Sequence, residues 1–269
     1  ISRELGIPAI VGTRTGSREI KDGQEITMDC SEGDTGFIYD GPVPFEIKKV
    51  EIKKIPKLDV DIMMNVANPD SAFSFAQLPN DGVGLARLEF IINSTILVHP
   101  MALIHTDKVE DYEEYQTIQG LTVEYEDKKQ FFIDRLAQEA GTIAAAFYPK
   151  PVIIRMSDFK SNEYSKLLAG KYFEPEEENP MLGFRGASRY YHEKYKEAFA
   201  LECLAMKKIR NEMGLDNVKL MIPFVRTVKE GAAVIEVMKE HGLVQGENGL
   251  EIYMMTEIPS NVLLIEEFS

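Results

Sequence analysis

The sequence is short of several features that would each point to a definite function. It holds only two cysteines in 269 residues, Cys30 and Cys203. Two are too few for a disulfide framework, and their separation matches no metal-binding spacing, so both read as buried thiols. The four histidines, His99, His105, His192 and His241, are scattered, with no pair at ligand spacing on a helix face. They read as surface or core histidines. Gly82 and Gly84 do not complete a GxGxxG loop, no Walker-type Gly-Lys-Ser/Thr pattern occurs, and a Gly-x-Ser-x-Gly elbow is absent. Nucleotide binding by these residues and serine-hydrolase chemistry therefore lack support. Positive charge is scarce as well: 30 Lys+Arg against 44 Asp+Glu leave a formal net charge of -14. That balance disfavours non-specific attraction to nucleic acid or anionic membrane, and neither partner is expected. No apolar run approaches the roughly 20 residues that span a bilayer, and the N-terminus lacks the charged and apolar regions of a signal peptide. The expected compartment is the cytoplasm.

What remains is the composition of a folding chain, 44% hydrophobic and 28% charged, too apolar for a disordered one. Residues 1–41 are rich in glycine and short β-type runs, Ala9-Ile10-Val11, Glu25-Ile26-Thr27-Met28 and Gly36-Phe37-Ile38-Tyr39. Residues 42–60 carry Pro42, Pro44 and Pro56 with five lysines and read as a linker. From residue 61 apolar β runs alternate with helical stretches, as in a parallel-strand α/β domain. The candidate strands are Ile62 to Val66, Val83 to Phe90, Val152 to Met156, Val218 to Pro223 and Leu250 to Met255, with a weaker one at Leu182 to Gly186. Phe132, Leu136, Ala140, Ile143 and Phe147 recur at helical spacing, as do Phe199, Cys203, Met206 and Met213, and these stripes should face a sheet. Gly214 suits a left-handed residue after the second helix; Thr227 and Glu230 form a capping-box pattern for a third that ends before Gly242. A right-handed series of this kind closes as an eight-stranded barrel or stays an open doubly wound sheet, and periodicity does not choose between them. The acidic run Glu174-Pro175-Glu176-Glu177-Glu178 reads as a solvated loop.

Arg87, Arg155 and Arg185 sit at or just beyond predicted strand ends, where parallel α/β folds place ligands. A guanidinium stays charged and offers a planar fork that matches carboxylate or phosphate. Three such forks suit a small polyanion; any one of them alone also suits a structural ion pair. Glu257 ends the strand-like Ile252-Tyr253-Met254-Met255-Thr256, just before Pro259 opens a new element. Its carboxylate fits a Mg²⁺ ligand and equally an acid stabilised at a helix N-terminus. Asp158, Lys160, Asn162 and Glu163 cluster after Arg155, either to position a ligand or as a solvated loop.

Long ordered segments resemble the phosphoenolpyruvate synthases (pyruvate, water dikinases). They include Ser2-Arg3-Glu4-Leu5-Gly6-Ile7-Pro8-Ala9, Leu78-Pro79-Asn80-Asp81-Gly82-Val83-Gly84-Leu85-Ala86-Arg87-Leu88-Glu89-Phe90, Ser157-Asp158-Phe159-Lys160-Ser161-Asn162-Glu163-Tyr164, Asn179-Pro180-Met181-Leu182-Gly183-Phe184-Arg185-Gly186 and Glu257-Ile258-Pro259-Ser260-Asn261. The resemblance implies that residues 1–41 end a β-rich swivelling phosphohistidine domain and that residues 61–269 form about six βα units of an incomplete (β/α)8 barrel. It implies substrate phosphate and carboxylate on Arg87, Arg155 and Arg185, with Glu257 binding substrate through Mg²⁺. The implied reaction takes a phosphoryl group from an ATP-charged phosphohistidine to pyruvate, giving phosphoenolpyruvate, AMP and phosphate. ATP would bind to a domain outside these residues, and a homo-oligomer is expected. The carrier histidine, an Asp completing the Mg²⁺ site and a proton-donating Cys would also lie outside, so the 269 residues alone are expected to show no turnover. Two alternatives stand beside this one. In sister dikinases the arginine motif usually reads Arg-Thr-Glu where this chain has Arg87-Leu88-Glu89; a synthase-like assembly protein would keep the fold without catalysis.

Overall fold

A computed structural model describes residues 7–31, 35–46 and 58–269. The chain divides into two units, Ile1–Asp59 and Val60–Ser269. In the first, β1 (Ile26–Asp29) pairs antiparallel with β2 (Phe37–Asp40), Thr27 opposite Tyr39. Ala9-Ile10-Val11, expected as a strand, is not one, and the turn before β1 holds a short helix, Gly16–Glu19. Most of the expected linker, residues 47–57, lies outside the described residues.

The second unit is built on five parallel strands: β3 (Met64–Val66), β4 (Val83–Arg87), β5 (Val152–Arg155), β6 (Val218–Ile222) and β7 (Ile252–Met254). Their order across the sheet is their order in the sequence. A doubly wound sheet must reverse direction at a switch point, and this one does not. The crossover helices agree: Ala72–Ala76 packs on Lys128–Phe147, which packs on Lys196–Lys207, which meets Val228–Glu240. Neighbour on neighbour along one face is the winding of a (β/α) barrel, here an open sheet of five strands. The expectation of about six βα units needs correction, because Leu182–Gly186 forms no strand. Its carbonyls are taken by arginine side chains: Arg226 binds those of Leu182 and Gly183, and Arg189 that of Phe184. They are therefore unavailable to a ladder.

Strand residues alternate in burial. Val152 and Ile154, and Val218, Leu220 and Ile222, are buried, whereas Arg155, Lys219 and Met221 between them are partly exposed. Period 2 thus gives one face to the core and leaves the other free to carry polar groups. The core face meets the 20-residue helix Lys128–Phe147. Asp127 caps it by accepting from Lys129 N at 3.0 Å, and all five residues of its predicted stripe are buried. The second stripe holds for Phe199, Cys203 and Met206 but fails at Met213, which is 42% exposed. A π-helical turn over Lys208–Glu212 advances the phase between them, so a spacing counted for an α-helix no longer points inward. Gly214 follows with φ +72°, the left-handed conformation expected of it.

Thr227 caps the helix Val228–Glu240, its Oγ1 accepting from Glu230 N at 3.2 Å. The Glu230 carboxylate reaches back to Arg226 N at 2.6 Å, one residue before the position of a reciprocal capping box. Thr227→Ala is expected to lower stability by about 1 kcal/mol, measured by urea denaturation; an unchanged midpoint would show that the cap contributes nothing.

Candidate anion-binding site

Parallel pairing sets Arg87 at the end of β4 directly opposite Arg155 at the end of β5. Arg185 comes from the loop that ends at the helix Ala187–Tyr190, not from a strand end. Together they line one cavity of about 400 Å³ at the carboxyl ends of the strands, with Glu89, Phe90, Asn93, Asp158, Lys160 and Glu163 among its walls. Glu257 is not among the lining residues of this cavity. It accepts from the amide of Phe224 at 2.8 Å, and its charge acts on Arg185.

Arg155 and Arg185 are each held by a carboxylate. Asp158 takes Arg185 bidentately, Nε to Oδ1 at 3.0 Å and Nη2 to Oδ2 at 2.6 Å, while Met181 O accepts from Arg185 Nη1 at 3.2 Å. Glu89 Oε1 accepts from Arg155 Nη2 at 2.9 Å and from the Asp158 amide. Asp158 lies 3.9 Å from Arg155 as well, so it joins the two arginines. Four cationic side chains thus face three carboxyls in the cavity wall. Burial works against the Arg155 and Arg185 charges, yet their carboxylate neighbours outweigh it and push both pKa values up. Burial also pushes the Glu89 carboxyl up, more than Arg155 pulls it down. Glu89 Oε2 and Arg155 Nε are buried without a hydrogen-bond partner, groups that a polar ligand in the cavity could satisfy. Chemically, the arrangement is a set of preorganised donors whose orientation is fixed before an anion arrives.

The acidic run is a solvated loop only in part: Glu176 and Glu178 are exposed as composition suggests, whereas Glu174 and Glu177 turn inward. Glu174 is 2% exposed at its side chain and takes a bidentate fork from the wholly buried Arg189, at 2.7 and 2.5 Å. His99 adds a third contact to Glu174 at 3.1 Å and is likewise buried, as the other three histidines are not. Glu177 accepts from the Phe184 amide at 2.9 Å and from Ser161 Oγ. These bonds fold the loop inward and fix the backbone beside Arg185. Arg226, one turn after β6, adds bonds to the carbonyls of Leu182, Gly183 and Arg185. Sequence reasoning missed Arg189 and Arg226. Arg226 follows the end of a predicted strand and carried the same signal as Arg155; Arg189, four residues after Arg185, carried none.

Beneath the site, Glu202 is wholly buried and accepts from Ser157 Oγ at 2.5 Å and Ser157 N at 3.1 Å. Burial raises its pKa from 4.5 to about 7. The fold therefore favours the protonated form: that stability is complete below about pH 4.5 and is lost as pH rises through about 7. The span corresponds to about 3 kcal/mol at 1.4 kcal/mol per unit. Glu202→Gln should flatten the decline in unfolding free energy between pH 5 and 8; parallel pH profiles for the two proteins would remove Glu202 as its cause.

A parallel sheet wound in sequence order, with arginines gathered in a cavity at the carboxyl ends of its strands, defines an α/β barrel-type domain. The chain belongs to the PEP-utilising enzyme family. Residues 46–269 match the family described as PEP-utilising enzyme, PEP-binding domain, and residues 1–33 match PEP-utilising enzyme, mobile domain. It is 57% identical to a phosphoenolpyruvate synthase of Synechocystis over 100% of this chain and 33% of the relative. It is 55% identical to one of Pseudomonas aeruginosa and 53% to one of Escherichia coli, each over 100% of this chain and 34% of the relative. The chain therefore spans about a third of the length of these curated relatives. Among the described residues, no helix is long and apolar enough to cross a membrane.

Proposed function

We propose that the cavity binds phosphoenolpyruvate and pyruvate, with Arg87, Arg155 and Arg185 receiving phosphate and carboxylate, and that the protein is a phosphoenolpyruvate synthase. The observation that carries the reading is the gathering of three arginines, remote in sequence, in one cavity at the strand ends. The names of the relatives agree with it. In the reaction, a base outside the described residues takes a methyl proton from pyruvate, the enolate oxygen attacks phosphorus, and the P–N bond of the phosphohistidine breaks with its electron pair returning to the histidine nitrogen. The arginines orient the two charged ends and stabilise charge on the transferring group, which is most of what a protein contributes to phosphoryl transfer. ATP would bind outside the described residues, and a cytoplasmic homo-oligomer belongs to the same proposal.

Mg²⁺ is the cation this reading implies. Among the described residues no cluster of three or more His, Cys, Asp or Glu could hold a metal. Glu257, exposed at the end of β7, therefore fits as one oxygen ligand and not as a complete site. A bound Mg²⁺ would neutralise phosphate and enolate charge; the roles given to the arginines do not depend on it.

The test is an assay of the full-length protein with ATP, pyruvate and Mg²⁺. AMP and phosphoenolpyruvate should appear in equal amounts. Failure to form either, with protein shown to be folded, would contradict the proposal.

A further inference from the structure

One residue beside the cavity holds an unusual backbone conformation. Phe224, two residues past β6, has φ +53°, a left-handed conformation that is an outlier for a bulky side chain. Such conformations persist where surrounding contacts over-determine them. Here three contacts do. The Phe224 amide donates to Glu257 Oε1 at 2.8 Å. Its ring lies against the Arg185 guanidinium, 4.4 Å from centroid to Cζ, and against that of Arg226 at 4.6 Å. Room for its Cβ comes from Gly186, where an added Cβ would stand 2.6 Å away.

We propose that Phe224 is a positioning residue for ligand binding: its backbone turn sets the ring under Arg185 while its amide holds Glu257, joining the two groups assigned to the substrate and its cation. This rests on the phosphoenolpyruvate reading of the cavity. The ring fixes one face of the Arg185 plane, and Asp158 fixes the edge that carries Nε and Nη2. With both set, the guanidinium has one orientation before ligand arrives. A ring at this distance from a partly desolvated guanidinium is worth about ten-fold in an equilibrium constant.

The experiment is a double-mutant cycle in phosphoenolpyruvate affinity, measured by titration calorimetry on wild type, Phe224→Leu, Arg185→Ala and the double variant. Thermal melting of each protein is followed in parallel. A second readout is the Arg185 Nε–Hε resonance in ¹⁵N-edited NMR, where the ring current of Phe224 displaces the proton signal. Phe224→Leu should weaken binding about ten-fold in wild type and leave the Arg185→Ala protein unchanged. It should also move the Arg185 Hε signal, and Phe224→Tyr, which keeps a ring, should restore both properties. Equal losses in the two backgrounds would overturn the proposal, as would an Hε signal that stays in place when the ring is removed. If wild type itself does not bind phosphoenolpyruvate, the reading of the cavity fails, and the Hε signal still decides whether Phe224 orients Arg185.

Discussion

Replacing Arg185 by lysine is expected to weaken phosphoenolpyruvate binding about 100-fold while leaving the protein folded. The charge survives the change, so a loss of this size would come from geometry. Arg185 is held by two bonds to Asp158 and one to Met181 O, and its plane is backed by Phe224. An ammonium cannot occupy both oxygens of Asp158 and present a planar edge to a second anion. Charge-assisted hydrogen bonds contribute about 1.5–3 kcal/mol each, and 2.7 kcal/mol corresponds to 100-fold. Titration calorimetry at fixed ionic strength checks it, because binding to arginines weakens with salt. An affinity within three-fold of wild type would remove Arg185 from the site.

Gly186→Ala should be the most damaging change of a single methyl group near the cavity, lowering unfolding free energy by about 4 kcal/mol. Two effects add. Gly186 has φ +57° and ψ -138°, a region essentially restricted to glycine. Its missing Cβ would also lie 2.6 Å from both Phe224 Cβ and the carbonyl oxygen of Pro223. That carbonyl accepts from the Ala187 amide at 3.0 Å, so the backbone is tied on the side where it would have to give. Relief by movement would shift the neighbouring Arg185, and binding should fall with stability. Chemical denaturation and calorimetry on the same samples test this. A melting temperature within two degrees of wild type would show that the loop is looser than these contacts imply.

The sequence made some of this legible and hid the rest for physical reasons. Helical spacing found the buried stripe from Phe132 to Phe147 because burial repeats with the turn of the helix. Strand ends drew attention to Arg87 and Arg155 because parallel strands deliver side chains to one edge. Winding order was out of reach: periodicity names elements, not neighbours, and only the sequential pairing of β3 to β7 separates barrel from doubly wound sheet. The run from Glu174 to Glu178 reads as solvated by composition. Glu176 and Glu178 are exposed, yet Glu174 turns inward because Arg189 and His99, 15 and 75 residues away, meet it. Leu182 to Gly186 has the look of a strand, yet side-chain donors occupy its carbonyls. Glu257 ends a strand-like run, but its bond to the Phe224 amide and the action of its charge on Arg185 join residues far apart in the sequence, which spacing does not show.

The central claim is that three arginines gathered from distant parts of the chain hold one small anion. A crystal of the protein soaked in phosphoenolpyruvate tests it most directly. Density for phosphate and carboxylate should lie in the cavity between Arg87, Arg155 and Arg185, with at least two of the guanidiniums within hydrogen-bond distance. Ordered ligand elsewhere on the molecule with this cavity empty, at a concentration that saturates binding in solution, would contradict the account.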